Sequence, residues 1–377
     1  KALNSIENIV HSDTKLKKVY QNVAYNYGVE LFRKKSFSKA IEILKKVKRY
    51  PLDLSIQSQA KFWIAESNLR MNNTKEAINL YKRYIKNPSG SSDKLKNDAY
   101  YNLAYAYLQK KDIDSAIVFF RLYSQSNTKN KRKLADAFSR LADTYYMTKK
   151  DEEAIKYYKE VLKLNVGFED QALYNISKSY GYIEKEDDKI ESLLLILSKY
   201  KNSKYYLSSL FDLAHSYKSV KKDYVNAIKY FDIIINNYPE ASFIAECKIE
   251  IADIYYKEWK YDLAKETYLD VLNKYNINHE ICENAVRGLM EVYTALNKPD
   301  EATKLAETHS CVQISTDEKE NLYYNPALKE YNDSSFTNAI GKFEKYIATL
   351  GAKFWPFFQA QKSNGVKNLA TACLNRL

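Results

Sequence analysis

The chain has 377 residues, 45% hydrophobic and 28% charged, with only 8 Gly and 6 Pro. That composition is globular, excludes a disordered or collagen-like chain, and leaves too few turn formers for a β-rich fold. The formal net charge is +12, and no stretch of eighteen apolar residues is present to span a membrane as a helix.

From the N-terminus onward the chain repeats one pattern. A helix carries a small residue; a polar break follows; a second helix carries an alanine, with a larger apolar residue four positions later. Ala2, Ile6 and Ile9 have the spacing of that second helix alone, one step ahead of Ala40. The chain is therefore expected to open inside a copy whose first helix precedes it, as a piece cut from a longer array. The marker alanine recurs as Ala40, Ala77, Ala116, Ala154, Ala227, Ala264, Ala302 and Ala339, in steps of 37 to 39 residues and one double step of 73. A degenerate copy inside the double step places Lys189 at the marker. Twelve residues before each marker stand Gly28, Ala65, Ala104, Ala142, Ser177, Ala252, Met290 and Ala327, while Ala214 stands thirteen before Ala227. Four after come Leu44, Tyr81, Phe120, Tyr158, Leu193, Phe231, Tyr268, Ala306 and Phe343. The small pairs let two antiparallel helices approach closely. Ala116→Leu is expected to overpack that contact, and Lys189→Ala to be neutral or stabilising. Nine copies of a 37–39-residue unit predict an all-α solenoid over residues 1–350.

The pattern ends before the C-terminus. Residues 347–377 contain no Tyr, Asp or Glu, although the chain has 35 Tyr. Phe354-Trp355-Pro356-Phe357-Phe358 precede Val366, Leu369, Ala370, Cys373, Leu374 and Leu377 at helical spacing. Residues 351–377 are read as a non-repeat tail forming a capping helix, with a hydrophobic docking segment or an out-of-frame extension as the other readings.

A small residue at repeat position 8, an aromatic near 11, Ala at 20 and an aromatic at 24 resemble the tetratricopeptide repeat (TPR). The resemblance covers roughly residues 14–350 and implies a right-handed α-solenoid that binds proteins rather than transforming substrates. The link Asn237-Tyr238-Pro239-Glu240-Ala241-Ser242 is similar to those of bacterial outer-membrane-assembly lipoproteins and the Tol–Pal coordinator family. That likeness favours periplasm or cell envelope over cytoplasm.

Catalytic signatures are absent: the sequence has no Gly-rich phosphate loop, no GxSxG and no HExxH. Asp187-Asp188 are assigned to a solvated turn. His279, Cys282, His309 and Cys311 bracket one predicted hairpin and are the residue types of a tetrahedral zinc site. Their spacing is not a zinc signature, so they are read as exposed histidines and free thiols, with no disulfide framework, metal or other cofactor expected.

Charge is uneven. Residues 1–150 carry 30 Lys+Arg against 13 Asp+Glu, whereas 151–346 carry 25 against 34. Lys129–Lys133 is a candidate nucleic-acid patch, but Lys outnumbers Arg 50 to 9, and Arg is the usual base reader, so nucleic acid is disfavoured. In the resembled family the first helices line a concave groove. Carried onto this chain, its positions include Tyr25, Phe32, Phe62, Tyr101, Tyr105, Tyr146, Tyr174, Phe211, Tyr256, Tyr324 and Tyr331. The carboxylate clamp of chaperone-type members is missing, since its sites hold Tyr25, Val29 and Arg33; Phe62, Glu66 and Arg70; and Tyr101, Tyr105 and Gln109. The expected function is a protein-interaction scaffold. A peptide or partner helix, acidic in character, would lie on Tyr25, Phe32, Arg33, Phe62, Arg70, Tyr101, Tyr105, Lys110 and Tyr146. A subunit of an envelope assembly or secretion complex and a peptide-sensing regulator are the alternatives.

Overall fold

A computed structural model describes residues 13–86, 93–275, 278–333 and 335–349. The expected opening half-copy (Ala2, Ile6, Ile9) and the 351–377 tail lie outside the described residues. All regular structure among those described is helical, and the chain divides into two compact units at Ser209/Leu210. Five hairpins lie in the first unit. They are α1 (Thr14–Arg33) with α2 (Phe37–Lys46), α3 (Leu54–Arg70) with α4 (Thr74–Lys86), α5 (Asp93–Gln109) with α6 (Ile113–Ser124), α7 (Lys131–Met147) with α8 (Asp151–Leu164), and α9 (Glu169–Tyr182) with α10 (Glu186–Lys199). Then follow α11 (Tyr206–Ser216) with α12 (Tyr224–Asn237), α13 (Ile244–Lys257) with α14 (Tyr261–Lys274), and α15 (His279–Ala295) with α16 (Pro299–Thr308). In the last hairpin the first arm carries a π bulge: α17 (Thr316–Lys319), the π segment Glu320–Tyr324, and α18 (Asn325–Asn332) follow without a break, paired with α19 (Phe336–Thr349).

Each marker falls on the second helix of a hairpin. The eight marker alanines are fully buried, as are Ala65, Ala104, Ala142, Ala214, Ala252 and Ala327 opposite them. Gly28 shows why the partner must be small: a Cβ there would stand 2.5 Å from Leu44 Cγ. Helix starts follow from short polar side chains. Asp13, Asp53, Asp112, Asn130, Asp223 and Asn278 each accept a hydrogen bond from a first-turn backbone N–H.

The turn inside the hairpins is also repeated. Five residues before the marker the backbone is left-handed at Lys35, Asn72, Lys111, Lys149, Glu184, Lys222, Trp259 and Asn297, with φ between 55° and 63°. The next N–H reaches back five residues, as from Asp112 to the Tyr107 carbonyl and from Lys260 to the Tyr255 carbonyl, both at 2.9 Å. This is the Schellman closure, which satisfies the last carbonyls of the first helix. In the copy of Ala227 the bond runs from Asp223 N–H to the Tyr217 carbonyl at 3.0 Å, one residue longer, across a π turn at Tyr217–Lys221. That extra residue is why Ala214 stands thirteen, not twelve, before its marker.

Two copies replace the small–small contact by exchange. Lys189 lays its stem over Gly181, whose added Cβ would stand 3.4 Å from Lys189 Cδ, and its Nζ meets Glu186 Oε1 at 3.1 Å. In the copy of Ala302 the large Met290 is buried together with the small Ala306. Asp187-Asp188 are not in a turn; they occupy the first turn of α10, where carboxylates face the positive end of the helix dipole.

Candidate functional site: a groove between the second and third hairpins

The first helices α3 and α5 lie side by side in the first unit and leave a groove of about 620 Å³ between them. Arg70, Asn72, Tyr101, Asn102, Tyr105 and Gln109 line it, with Leu69 and Leu108 as apolar contributions. The walls are held by two carboxylates. Glu66, buried in α3, accepts hydrogen bonds from Tyr81 Oη at 2.5 Å, Asn102 Nδ2 at 2.5 Å and Arg70 Nε at 3.1 Å. Asp136 on α7 accepts from Tyr101 Oη at 2.6 Å and Tyr105 Oη at 2.5 Å. Burial, then the Asp136 hydrogen bond and charge, push both phenols up, Tyr105 to about 12. Burial and then the Glu66 charge raise Tyr81 as well. The rings of Tyr101 and Tyr105 pack edge to face at 5.0 Å. At the rim, Gln109 Nε2 donates to Asn72 Oδ1 at 3.1 Å.

The pairing of Tyr81 with Glu66 is one of a series. Tyr158 donates to Asp143 at 2.5 Å, and Tyr268 donates to Asp253. In each, a tyrosine four after the marker meets an acid fifteen residues earlier on the first helix.

The groove brings together three of the sequence-expected residues: Arg70, Tyr101 and Tyr105. Phe62 is a correction. It is 3% exposed and packs on Trp63, Tyr81 and Tyr84, because its ring points beneath α4 and belongs to the core. Tyr25 and Phe32 bridge the first two hairpins: Tyr25 Oη donates to Gln59 Oε1 at 2.8 Å and accepts from Trp63 Nε1 at 3.2 Å, while Phe32 packs on Trp63 at 4.9 Å. Arg33 and Lys110 are exposed at the ends of their hairpins' first arms. Tyr146 packs on the exposed Tyr182 at 5.6 Å. Tyr174 stacks on Tyr205, Phe211 packs on Phe231 and Phe243, Tyr256 on Tyr261, and Tyr324 on Phe343. Tyr331 is partly buried in an apolar cluster. Asn72 and Asn102 were not anticipated. Asn102 carried a faint signal, standing beside Tyr101 on the same first helix; Asn72 carried none, because only the left-handed turn turns it to the rim.

The cysteine reading is also corrected. Cys282 and Cys311 form a disulfide, so they are neither free thiols nor zinc ligands. His279 is exposed near Glu283, and His309 Nδ1 lies 2.9 Å from the Leu305 carbonyl. Among the described residues no His, Cys, Asp and Glu group is arranged to hold a metal. Cys247 is buried, and burial first of all pushes its thiol up to about 12, which leaves it a poor nucleophile. Within Lys129–Lys133, Lys133 is engaged by Asp98 at 2.7 Å and lies over the Tyr101 ring. No helix among the described residues is long and apolar enough to cross a membrane.

Tetratricopeptide-repeat family profiles match residues 62–130, 135–166 and 208–241. None of the curated proteins matches the chain in sequence. Among solved structures, the C-terminal part of a TPR repeat-containing protein from Cytophaga hutchinsonii is 15% identical, with a TM-score of 0.53, covering 70% of this chain and 99% of that one. A tetratricopeptide repeat protein from Parabacteroides merdae is 14% identical, with a TM-score of 0.45, covering 74% and 98%. The hairpin geometry, the buried small pairs and the three matched segments together make the chain a tetratricopeptide-repeat protein.

Proposed function

We propose that the chain is a non-enzymatic protein-interaction scaffold whose groove between α3 and α5 holds an extended peptide or a partner helix. The observation that carries this is the groove itself. Two fixed aromatic rings supply contact area at little entropic cost, and Asn72, Asn102 and Gln109 supply amides suited to a peptide backbone. The Tyr101 and Tyr105 hydroxyls are engaged with Asp136, so the rings are preorganised before a ligand arrives. Arg70 sits against Glu66, which makes the groove itself nearly neutral. The preference for an acidic partner rests instead on the excess of Lys and Arg over residues 1–150, including Arg33 and Lys110.

The test uses a partner recovered by pull-down. Association should slow between low and physiological salt while dissociation changes little, because the Debye length shrinks to about 8 Å. Tyr101→Ala should speed dissociation, and Asn102→Ala, which leaves the aromatic pair in place, should do the same to a lesser degree. A partner that maps to residues 151–346, or whose association ignores salt, overturns the proposal.

One observation favours a second reading, a subunit of a bacterial envelope assembly. The Cys282–Cys311 disulfide is of the kind that persists in oxidising compartments. Cell fractionation of the tagged full-length protein checks it.

A further inference from the structure

We propose that Cys282–Cys311 is a thiol–disulfide exchange site that governs how firmly the last two hairpins are held. Cys282 is in the first turn of α15, and Cys311 is in the link between α16 and α17. The bridge spans 29 residues and ties the exit of one hairpin back to its entrance. It closes a copy that departs from the repeated packing. That copy has Met290 where the others are small and Ala306 where the others carry an aromatic or leucine.

The pinned link also carries the seam with the final hairpin. Val312 is 5% exposed and shares an apolar cluster with Leu322, Tyr323 and Ala327; Ile314 and both bridging cysteines pack against it. The first arm of that hairpin carries a π bulge at Glu320–Tyr324 within its helix. Polar ties also cross the seam: Arg287 to Glu318, Thr303 with Tyr323 at 2.8 Å, Lys342 to Asn297 at 2.7 Å and Lys345 to Asp300. Both cysteines are only partly buried, unlike Cys247, so an attacking thiolate can reach a sulfur.

The chemistry is exchange with a dithiol, either a small molecule or an oxidoreductase of the CxxC class. Two electrons and two protons pass to the protein, giving thiols at Cys282 and Cys311, and the dithiol leaves as its own disulfide. Reduction restores the loop-closure entropy of the open state. The α15–α17 region then opens more often while the other hairpins are unaffected.

Hydrogen exchange on the full chain, prepared without reductant, tests this with dithiothreitol as the probe. Reduction should raise the open population of residues 282–311 about five-hundredfold, the scale set by closing a loop of this size, and leave α13–α14 and the first unit unchanged. The Cys282→Ser/Cys311→Ser variant should exchange fast with or without dithiothreitol. Equal exchange of wild type in both conditions overturns the proposal. So does mass spectrometry finding free thiols at both positions in protein never exposed to reductant.

Discussion

The residue that defines eight of the nine copies is a fully buried alanine. Ala116 is fully buried against the equally buried Ala104, so Ala116→Leu should cost about 1–3 kcal/mol by overpacking, read as a drop in the urea midpoint at constant slope. Lys189 is a different matter. Its stem covers Gly181 and its ammonium meets Glu186, so Lys189→Ala should lose up to about 1 kcal/mol, not leave stability unchanged or raised as the sequence suggested. The left-handed turn residues offer the opposite opportunity. Lys111 sits at φ 63°, which strains a residue with a Cβ, and Lys111→Gly should stabilise by about 0.5–1 kcal/mol after the unfolded chain's extra freedom is counted. A destabilised Lys111→Gly protein would show that the lysine makes a contact worth more than its strain.

Between elements, the recurring device is a tyrosine hydroxyl donating to a carboxylate. Asp136 ties α5 to α7 through Tyr101 and Tyr105. Asp136→Ala strands two partly buried hydroxyls and should cost about 1–3 kcal/mol. The same geometry sets a pH dependence. Tyr105 in the folded protein is pushed up to about 12 from 10.0, so the folded state holds its proton more tightly than the unfolded chain does. The stability this contributes is fully present below pH 10 and is lost as pH climbs through about 12. Urea midpoints should therefore fall across that window, and Tyr101→Phe/Tyr105→Phe should flatten the fall. A wild-type profile as flat as the variant's would mean that these hydroxyls are not bound as described.

At the scale of the whole chain, the two compact units differ in charge more than in construction. The first contains the stretch with 30 Lys+Arg against 13 Asp+Glu. Like charges at that density repel one another and weaken the compact state. Raising ionic strength from about 0.01 M to about 0.15 M screens them. Hydrogen-exchange protection of α1–α8 should rise over that range, with a smaller change in α13–α16, where ion pairs such as Lys248 with Asp270 and Arg287 with Glu283 already offset the charge. Equal responses in both units would rule out self-repulsion as the cause.

The sequence by itself determined the repeat: which alanines mark it and which residues face them. These are relations within about twenty-five residues, and helical periodicity and side-chain size decide them locally. Even the thirteen-residue spacing before Ala227 was visible, although only the π turn explains it. What the tertiary structure decided is everything that depends on side chains brought together from different helices. Phe62 and Tyr101 look equivalent in sequence, yet one ring turns under α4 and the other into the groove. Cys282 and Cys311 are 29 residues apart and meet only because α15 and α16 fold back on each other. Tyr101 and Tyr105 read as unengaged hydroxyls until Asp136 of the next hairpin is found beside them. Periodicity reports which face of a helix is buried, whereas the partner of a side chain on that face is set by the packing of the next hairpin.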